Sequence, residues 1–477
     1  VLLRRRPGAD VAPATAPGNS QLGIMLPYTP LHHLLLAETG EPVVLTSGNV
    51  SDEPIAYRDE DALARLGGIA DAFVVHDRAI YIRTDDSVTR VFRGRPMPVR
   101  RSRGYVPEPV RVARAFPCPV LACGAELKNT FCLAQDHHAF ISHHIGDLEN
   151  AETLRSFTEG IEHFQRLFDI RPQVVAHDLH PEYLSTKYAL ELADETGLAL
   201  AGVQHHHAHV ASCLADNGVD GPVIGVAFDG TGYGPDGTIW GGEFLVADLA
   251  GFERGGHLAA VPMPGGAAAV RQPWRMAAAY LPDAPGDLDV VRRNQASWAA
   301  VTAMARKGVN APLTSSAGRL FDAAAALLGV RDTINYEGQA AIELEQLADP
   351  GETGAYPASL EAADGRFQVR GTDLISAVLE DLTTGLPPAV IAARFHHGVA
   401  GLIEAGCELL REQHGLGTVA LSGGVFQNML LLHATVARLE ARGFTVLTHS
   451  RVPCNDGGIS LGQAVVAAAR DRAEHQA

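Results

Sequence analysis

Paired cysteines are missing from this chain. Its six, Cys118, Cys123, Cys132, Cys213, Cys407 and Cys454, show no C-x-x-C spacing, so neither a zinc ribbon nor a disulfide framework is indicated. That usage fits a reducing, cytoplasmic compartment. No apolar run is long enough to span a bilayer, and no membrane segment is expected. Basic residues are also scarce: 38 Lys and Arg against 55 Asp and Glu leave a net charge of −17. A phosphate backbone needs a dense basic surface, so this balance argues against a general nucleic-acid binder and favours small molecules or proteins as partners. The first residues, Val1 to Asn19, lack the apolar core of a signal peptide. With Val1 in place of Met, the chain is expected to begin inside a longer protein.

What remains is a globular composition, 46% hydrophobic and 19% charged over 477 residues. That length predicts two to four domains with a sizeable core. Residues 1 to about 110 alternate apolar runs such as PVVLTS and AFVVHD with helical stretches, and reach Arg100, Arg101 and Arg103 before Pro107 and Pro109. They read as a small α/β domain, with a linker over 111–118. From Pro119 the pattern resets. The runs VLACG, NTFCLA and AFISHH predict strands, followed by a helix over Ala151 to Phe168. Further strands are expected at Val174 to His177, Leu198 to Val203, Val223 to Asp229, Val419 to Ser422 and Thr445 to Leu447. Two strand-to-glycine turns, near Asp229 and Gly423, imply a duplicated α/β fold with a cleft between halves.

The densest chemistry lies in Gln204-His205-His206-His207-Ala208-His209. His205 and His209 stand four apart, so on a helix both imidazoles share one face and can hold one metal. A solvated polar helix start would give the same letters. The strand Val223–Phe228 ends in Asp229-Gly230-Thr231-Gly232, where backbone N–H groups can approach a phosphate, though an Asp-Gly hairpin turn reads equally well. Leu421-Ser422-Gly423-Gly424 with Gln427 and Asn428 places a glycine pair at a helix start, a place for nucleotide. Asp456, in Cys454-Asn455-Asp456-Gly457-Gly458, is either an N-terminal cap or a metal ligand. In the first domain, Ser47, Asn49, Ser87, Arg101 and Arg103 offer the hydroxyls, amide and cations that hold a triphosphate, or else are turn residues and linker charge.

Taken together and in order, these segments resemble the HypF family of carbamoyltransferases, which serve [NiFe]-hydrogenase maturation. LGIMLPYTPLHHLL, LTSGNVSDEPI, DDSVTR and RRSRGYVP are similar to a YrdC-like domain. GAELKNTFCLA, HHIGDLEN, QHHHAH, FDGTGYGPDGTIWGGEF, SSAGRLFDAAAALLG, EGQAAIELE, LSGGVFQN and CNDGGISLGQ resemble a TsaD-like domain. The fold class implied is α/β: a partial YrdC-like domain over 1–110, then a duplicated ASKHA (actin-like ATPase) domain over 119–477. The resemblance assigns His205, His209, Asp229 and Asp456 to one metal site, with Fe(II) or Zn(II) as the ion and Mg(II) as a companion to ATP. It gives Lys128, Asn129, Gly230 and Gly232 to phosphate-binding hairpins and Gly423, Gly424 and Asn428 to adenosine. Ser47, Asn49, Ser87, Arg101 and Arg103 become nucleotide contacts of the YrdC-like part.

The reaction implied begins with cleavage of carbamoyl phosphate. ATP then activates the carbamate as carbamoyl-adenylate, and the carbamoyl group passes to the C-terminal cysteine of HypE. The family's acylphosphatase domain, paired zinc fingers and early YrdC-like segment are not in this sequence. Transfer from the adenylate is therefore the step expected of this chain. Gln272, where the pattern has Glu, and His143, where it has Gln, are two smaller departures. Two other readings share these domain types. O-carbamoylation of a small-molecule hydroxyl goes with the reverse domain order, and tRNA threonylcarbamoylation is disfavoured by the acidic charge. A non-enzymatic ATP-binding scaffold for HypE is a further alternative.

Overall fold

The structure is a computed structural model that describes residues 1–51, 53–363 and 365–476; Asp52, inside the LTSGNVSDEPI segment, lies outside the described residues. The N-terminal part is built from two small antiparallel pairs. Strand β1 (Leu2–Arg4) pairs with β2 (Gln21–Gly23), and β3 (Val88–Phe92) pairs with β4 (Arg95–Arg100). Helices α1 (Pro30–Thr39) and α2 (Asp59–Leu66) lie between them. The apolar runs at 42–47 and 72–77, strand-like in sequence, join no ladder among the described residues. Val44 is 79% exposed and Val74 92% exposed, so the β-forming sequence is there while its sheet neighbours are not.

The remainder repeats one topology twice. Its first half has the sheet order β6-β5-β7-β8, from β5 (Val110–Ala122), β6 (Cys132–Ile141), β7 (Val174–Asp178) and β8 (Ala199–Val203). β5 and β6 are antiparallel, while β7 and β8 continue in parallel. The second half runs β11-β10-β9 and then the strands Thr418–Ser422 and Thr445–Leu447, with β9 (Val223–Tyr233), β10 (Ile239–Ala247) and β11 (Phe252–Leu258). Again antiparallel strands lead into parallel ones, and the strands Arg366–Val369 and Leu360–Ala363 extend this sheet beyond β11. Residues 111–118 form the first part of β5.

Crossover helices supply the parallel connections. Helix α3 (Ala151–Phe168) starts where the Asn150 side chain accepts from the Thr153 N–H and stops where Asp169 turns left-handed at φ 52°. Its apolar stripe, Phe157, Ile161 and Phe164, is buried against Phe131 and Leu133, worth about 1.5–3 kcal/mol per side chain. After α4 (Leu184–Thr196) comes α5 (His205–Asn217), buried over His205 to Asp216. The terminal helix Ile459–Gln476 lies across α5, and at Gly462 a β-carbon would run into the Ala208 carbonyl. The six cysteines are unpaired. Among the described residues no helix is long and apolar enough to cross a membrane.

Candidate metal and nucleotide site

Strand ends and helix starts converge where the two halves meet. β8 ends at Val203, and Gln204 caps α5 by accepting the His207 N–H at 2.9 Å. His205 and His209 thereby occupy successive turns of one buried helix face. Asp229 sits in β9, whose neighbour strand ends at Ser422 and turns through Gly423. Gly424 N–H donates to Asp229 Oδ1 at 2.9 Å and fixes that carboxylate. Asp456 lies in the short 3-10 turn before the terminal helix.

The four side chains offer ligand atoms within 4.8 Å of one another. His205 Nε2 is 3.3 Å from Asp229 Oδ2 and 3.8 Å from Asp456 Oδ1, and His209 Nε2 is 3.6 and 3.5 Å from the same two atoms. The 3.3 Å contact is a long hydrogen bond and the other three are longer still, and His209 Nε2, fully buried, has no hydrogen-bond partner. Around a tetrahedral ion with bonds of about 2.05 Å, ligand atoms lie about 3.3 Å apart. The donor set and spacing fit a divalent cation. Gly232 is required beneath it, because a β-carbon there would stand 2.5 Å from His206 and 2.8 Å from His205.

Electrostatics agree with a shared cationic centre. Burial opposes the charge of His205, yet the Asp178 carboxylate beside it, with Asp229 and Asp456, holds its pKa well above the ordinary value. His209 is raised against burial by Asp229 and Asp456. Asp229, despite burial, is held well below the usual carboxylate range by the two imidazoles.

Beside this cluster opens a cavity of about 740 Å³, whose lining includes Asp229, Gly230, Lys128, Gly424, Asn428 and Arg101. The remaining expected residues fall in varied places. Asn129 is buried and staples its own hairpin, donating to the Cys123 and Ala125 carbonyls. Lys128 pairs with Glu337 across the cavity mouth. Gly423 turns at φ 102° and donates to the Cys454 carbonyl, and Asn428 caps the helix Met429–Ala441. Arg101 donates to the Ile141, Tyr105 and Glu108 carbonyls, and Arg103 pairs with Asp86 at 3.3 Å. Ser87 ties Arg103 O to Ser102 N. Ser47 bonds Asn49 on an exposed loop.

Comparison with known proteins adds a family to this geometry. Residues 225–463 match a family model described as carbamoyltransferase, Kae1-like domain, second subdomain, and residues 117–216 match the HypF Kae1-like domain. Residues 1–102 match a Sua5, YciO and YrdC model described as telomere recombination. A carbamoyltransferase HypF homolog of Cupriavidus necator is 40% identical over 73% of this chain and 91% of its own length. The chain belongs to the HypF family. Carbamoyltransferase HypF2 of the same organism is 44% identical over 98% of the chain. A crystal structure of full-length HypF in the phosphate- and nucleotide-bound form superposes with a TM-score of 0.91 at 43% identity, covering 95% of this chain and 71% of that one. The chain spans 63%, 62% and 61% of the length of three curated HypF relatives. Its architecture is the HypF one: a YrdC-like α/β part followed by a two-part Kae1-like domain.

Three neighbours of the site escape sequence reasoning. Asp178 closes β7 next to His205, and its VVAHD run has the same strand-then-Asp form as VAFD at Asp229. That parallel is a signal the letters do carry. Arg90 and Glu345, which pair at the cavity wall, end the DDSVTR and EGQAAIELE motifs, but with 255 positions between them nothing local marks them as a pair.

Proposed function

We propose that this chain is the transfer part of a HypF-type carbamoyltransferase, with a nucleotide-binding part over 1–110 followed by a metal-dependent transfer domain whose first strand, β5, takes in the expected linker 111–118. The observation that carries this reading is the His205, His209, Asp229, Asp456 cluster opening onto the 740 Å³ cavity through Asp229. The substrate is carbamoyl-adenylate, formed from ATP and the carbamate of carbamoyl phosphate. Its acceptor is the C-terminal cysteine thiolate of HypE. When bound, Fe(II) or Zn(II) supplies Lewis acidity toward the carbamoyl carbonyl, and Mg(II) accompanies ATP phosphates.

The residues then divide the work. His205, His209, Asp229 and Asp456 hold the cation; Gly424 keeps Asp229 aimed at it. Gly230, without a side chain on the cavity wall, lets the adenylate phosphate approach β9, Gly232 makes room for the two imidazoles, and Lys128 offers the phosphate a cation. Asn428 and Gly424 line the cavity where adenosine is placed. In the YrdC-like part, Ser47, Asn49, Ser87, Arg101 and Arg103 serve the activation step. Thiolate attack forms the C–S bond as the carbamoyl–oxygen bond to AMP breaks, so AMP leaves with the electron pair. No nucleophile from this chain is needed.

AMP release tests this reading. Carbamoyl-adenylate supplied to the chain yields AMP on addition of HypE, and HypE lacking its C-terminal cysteine gives none. Equal AMP release with both forms of HypE would contradict the assignment.

A further inference from the structure

Asp178 sits next to the four-ligand cluster without belonging to it. It is fully buried, and its two oxygens have separate partners. Oδ1 accepts the His180 backbone N–H at 2.9 Å and closes the turn after β7. Oδ2 lies 2.8 Å from His205 Nδ1, and both side chains are sealed from solvent. Strand pairing sets this contact: the parallel register places Asp178 opposite Val203, and only Gln204 separates Val203 from His205.

An ionised carboxylate only accepts hydrogen bonds, so the proton on a neutral His205 ring is held at Nδ1. The other nitrogen, Nε2, faces Asp229 Oδ2 at 3.3 Å and Asp456 Oδ1 at 3.8 Å, and in the neutral ring its lone pair is directed to the space these ligand atoms share. We propose that Asp178 is a positioning residue of the metal site, fixing His205 in the Nδ1–H tautomer and the ring orientation that leaves Nε2 to hold a divalent cation. The proposal rests on the metal-site reading above. Carboxylates in this relation to a metal-bound imidazole fix its tautomer and raise its basicity.

The two oxygens allow the turn and the imidazole contact to be separated. Asp178→Asn keeps an Oδ1 acceptor for the His180 N–H and leaves the Thr186 hydroxyl on the Asp178 backbone carbonyl. It places an NH₂ donor against His205 Nδ1, which selects the opposite tautomer and takes the Nε2 lone pair from the metal.

The test is Co(II) binding by the full chain in competition with a chromophoric chelator, alongside thermal melting of the metal-free protein. Asp178→Asn is expected to weaken Co(II) binding about 10–100-fold while the metal-free protein still melts in one cooperative transition. Wild-type affinity in the variant overturns the proposal while leaving the metal site standing. A wild-type chain that binds no Co(II) overturns both. If the variant does not fold, ¹⁵N-histidine spectra of the Zn(II)-loaded wild type, with His205 assigned through His205→Gln, decide the matter. An Nδ1–H signal for His205 is expected, and an Nε2–H signal would overturn the proposal.

Discussion

Arg90 grips Glu345 with two hydrogen bonds, Nη1 to Oε2 at 3.0 Å and Nη2 to Oε1 at 2.8 Å, joining the YrdC-like part to the Kae1-like domain. The same guanidinium donates to the Gln427 carbonyl, and the Met429 N–H donates to Glu345. Both side chains are largely buried, 10% and 8% exposed, so removing one leaves the other charged in a poorly solvated place. Arg90→Ala is expected to destabilise the protein by about 3–5 kcal/mol in urea unfolding. A loss below about 1 kcal/mol, the range of a surface pair, would show that the contact carries little.

His205→Ala and Asp456→Ala each remove a donor from the cluster. Without a full set of donors the site should lose at least about 100-fold in affinity for Zn(II), while far-UV circular dichroism stays unchanged. Elemental analysis after desalting reads the result. Metal content equal to wild type in both variants would refute the ligand set.

Buried histidines give the protein an acid limit. Burial pushes His143 down to about 3 and His396 and His449 down to about 4, below an ordinary 6.5. Their contribution is complete above pH 6.5 and is lost as pH falls toward 4, because the unfolded chain binds the proton first. Glu126 has the opposite sign: burial, with Glu149 and Asp147 nearby, raises it to about 7 from 4.5. Its contribution is complete below pH 4.5 and is lost as pH rises through 7. Stability differences between wild type and His396→Gln should therefore grow in favour of wild type from pH 4 to 6.5. Those between wild type and Glu126→Gln should shrink from pH 4.5 to 7. Denaturant titrations across this range check both, and a flat difference in either case contradicts its assignment.

Gly462→Ala places a methyl group against the Ala208 carbonyl, between the terminal helix and the helix that bears both histidines. Overpacking of this kind costs about 1–3 kcal/mol, and the shift also moves the Asp456 turn away from α5. A lower melting temperature together with weaker metal binding is expected. Unchanged values of both would mean that the two helices part without consequence.

Much of the duplicated domain is legible in the letters. The helix over Ala151–Phe168 and the strands at 174, 223, 418 and 445 follow from periodicity, because each has an amphipathic stripe or an apolar run with a turn signal at its end. His205 and His209 are found by spacing on one helix. Asp229 and Asp456 are not, since nothing local distinguishes a ligand from a turn or a cap; only the pattern of many motifs in order joins them. The runs at 42–47 and 72–77 mislead in the other direction. Their composition is that of strands, but a strand exists only through its neighbours, and these have none among the described residues. Asn129, expected in a phosphate-binding hairpin, donates its side-chain N–H groups to the Cys123 and Ala125 carbonyls, contacts that its motif alone does not announce.

Following a labelled carbamoyl group shows whether this chain carries it to HypE. Carbamoyl-adenylate carrying ¹⁴C in the carbamoyl carbon is mixed with the full chain and HypE, and label is counted on HypE after separation. Label is expected on HypE with wild type, and none with His209→Ala or with HypE lacking its C-terminal cysteine. No label on HypE with the metal-loaded wild-type chain, or equal label with His209→Ala, would contradict metal-dependent transfer by this chain.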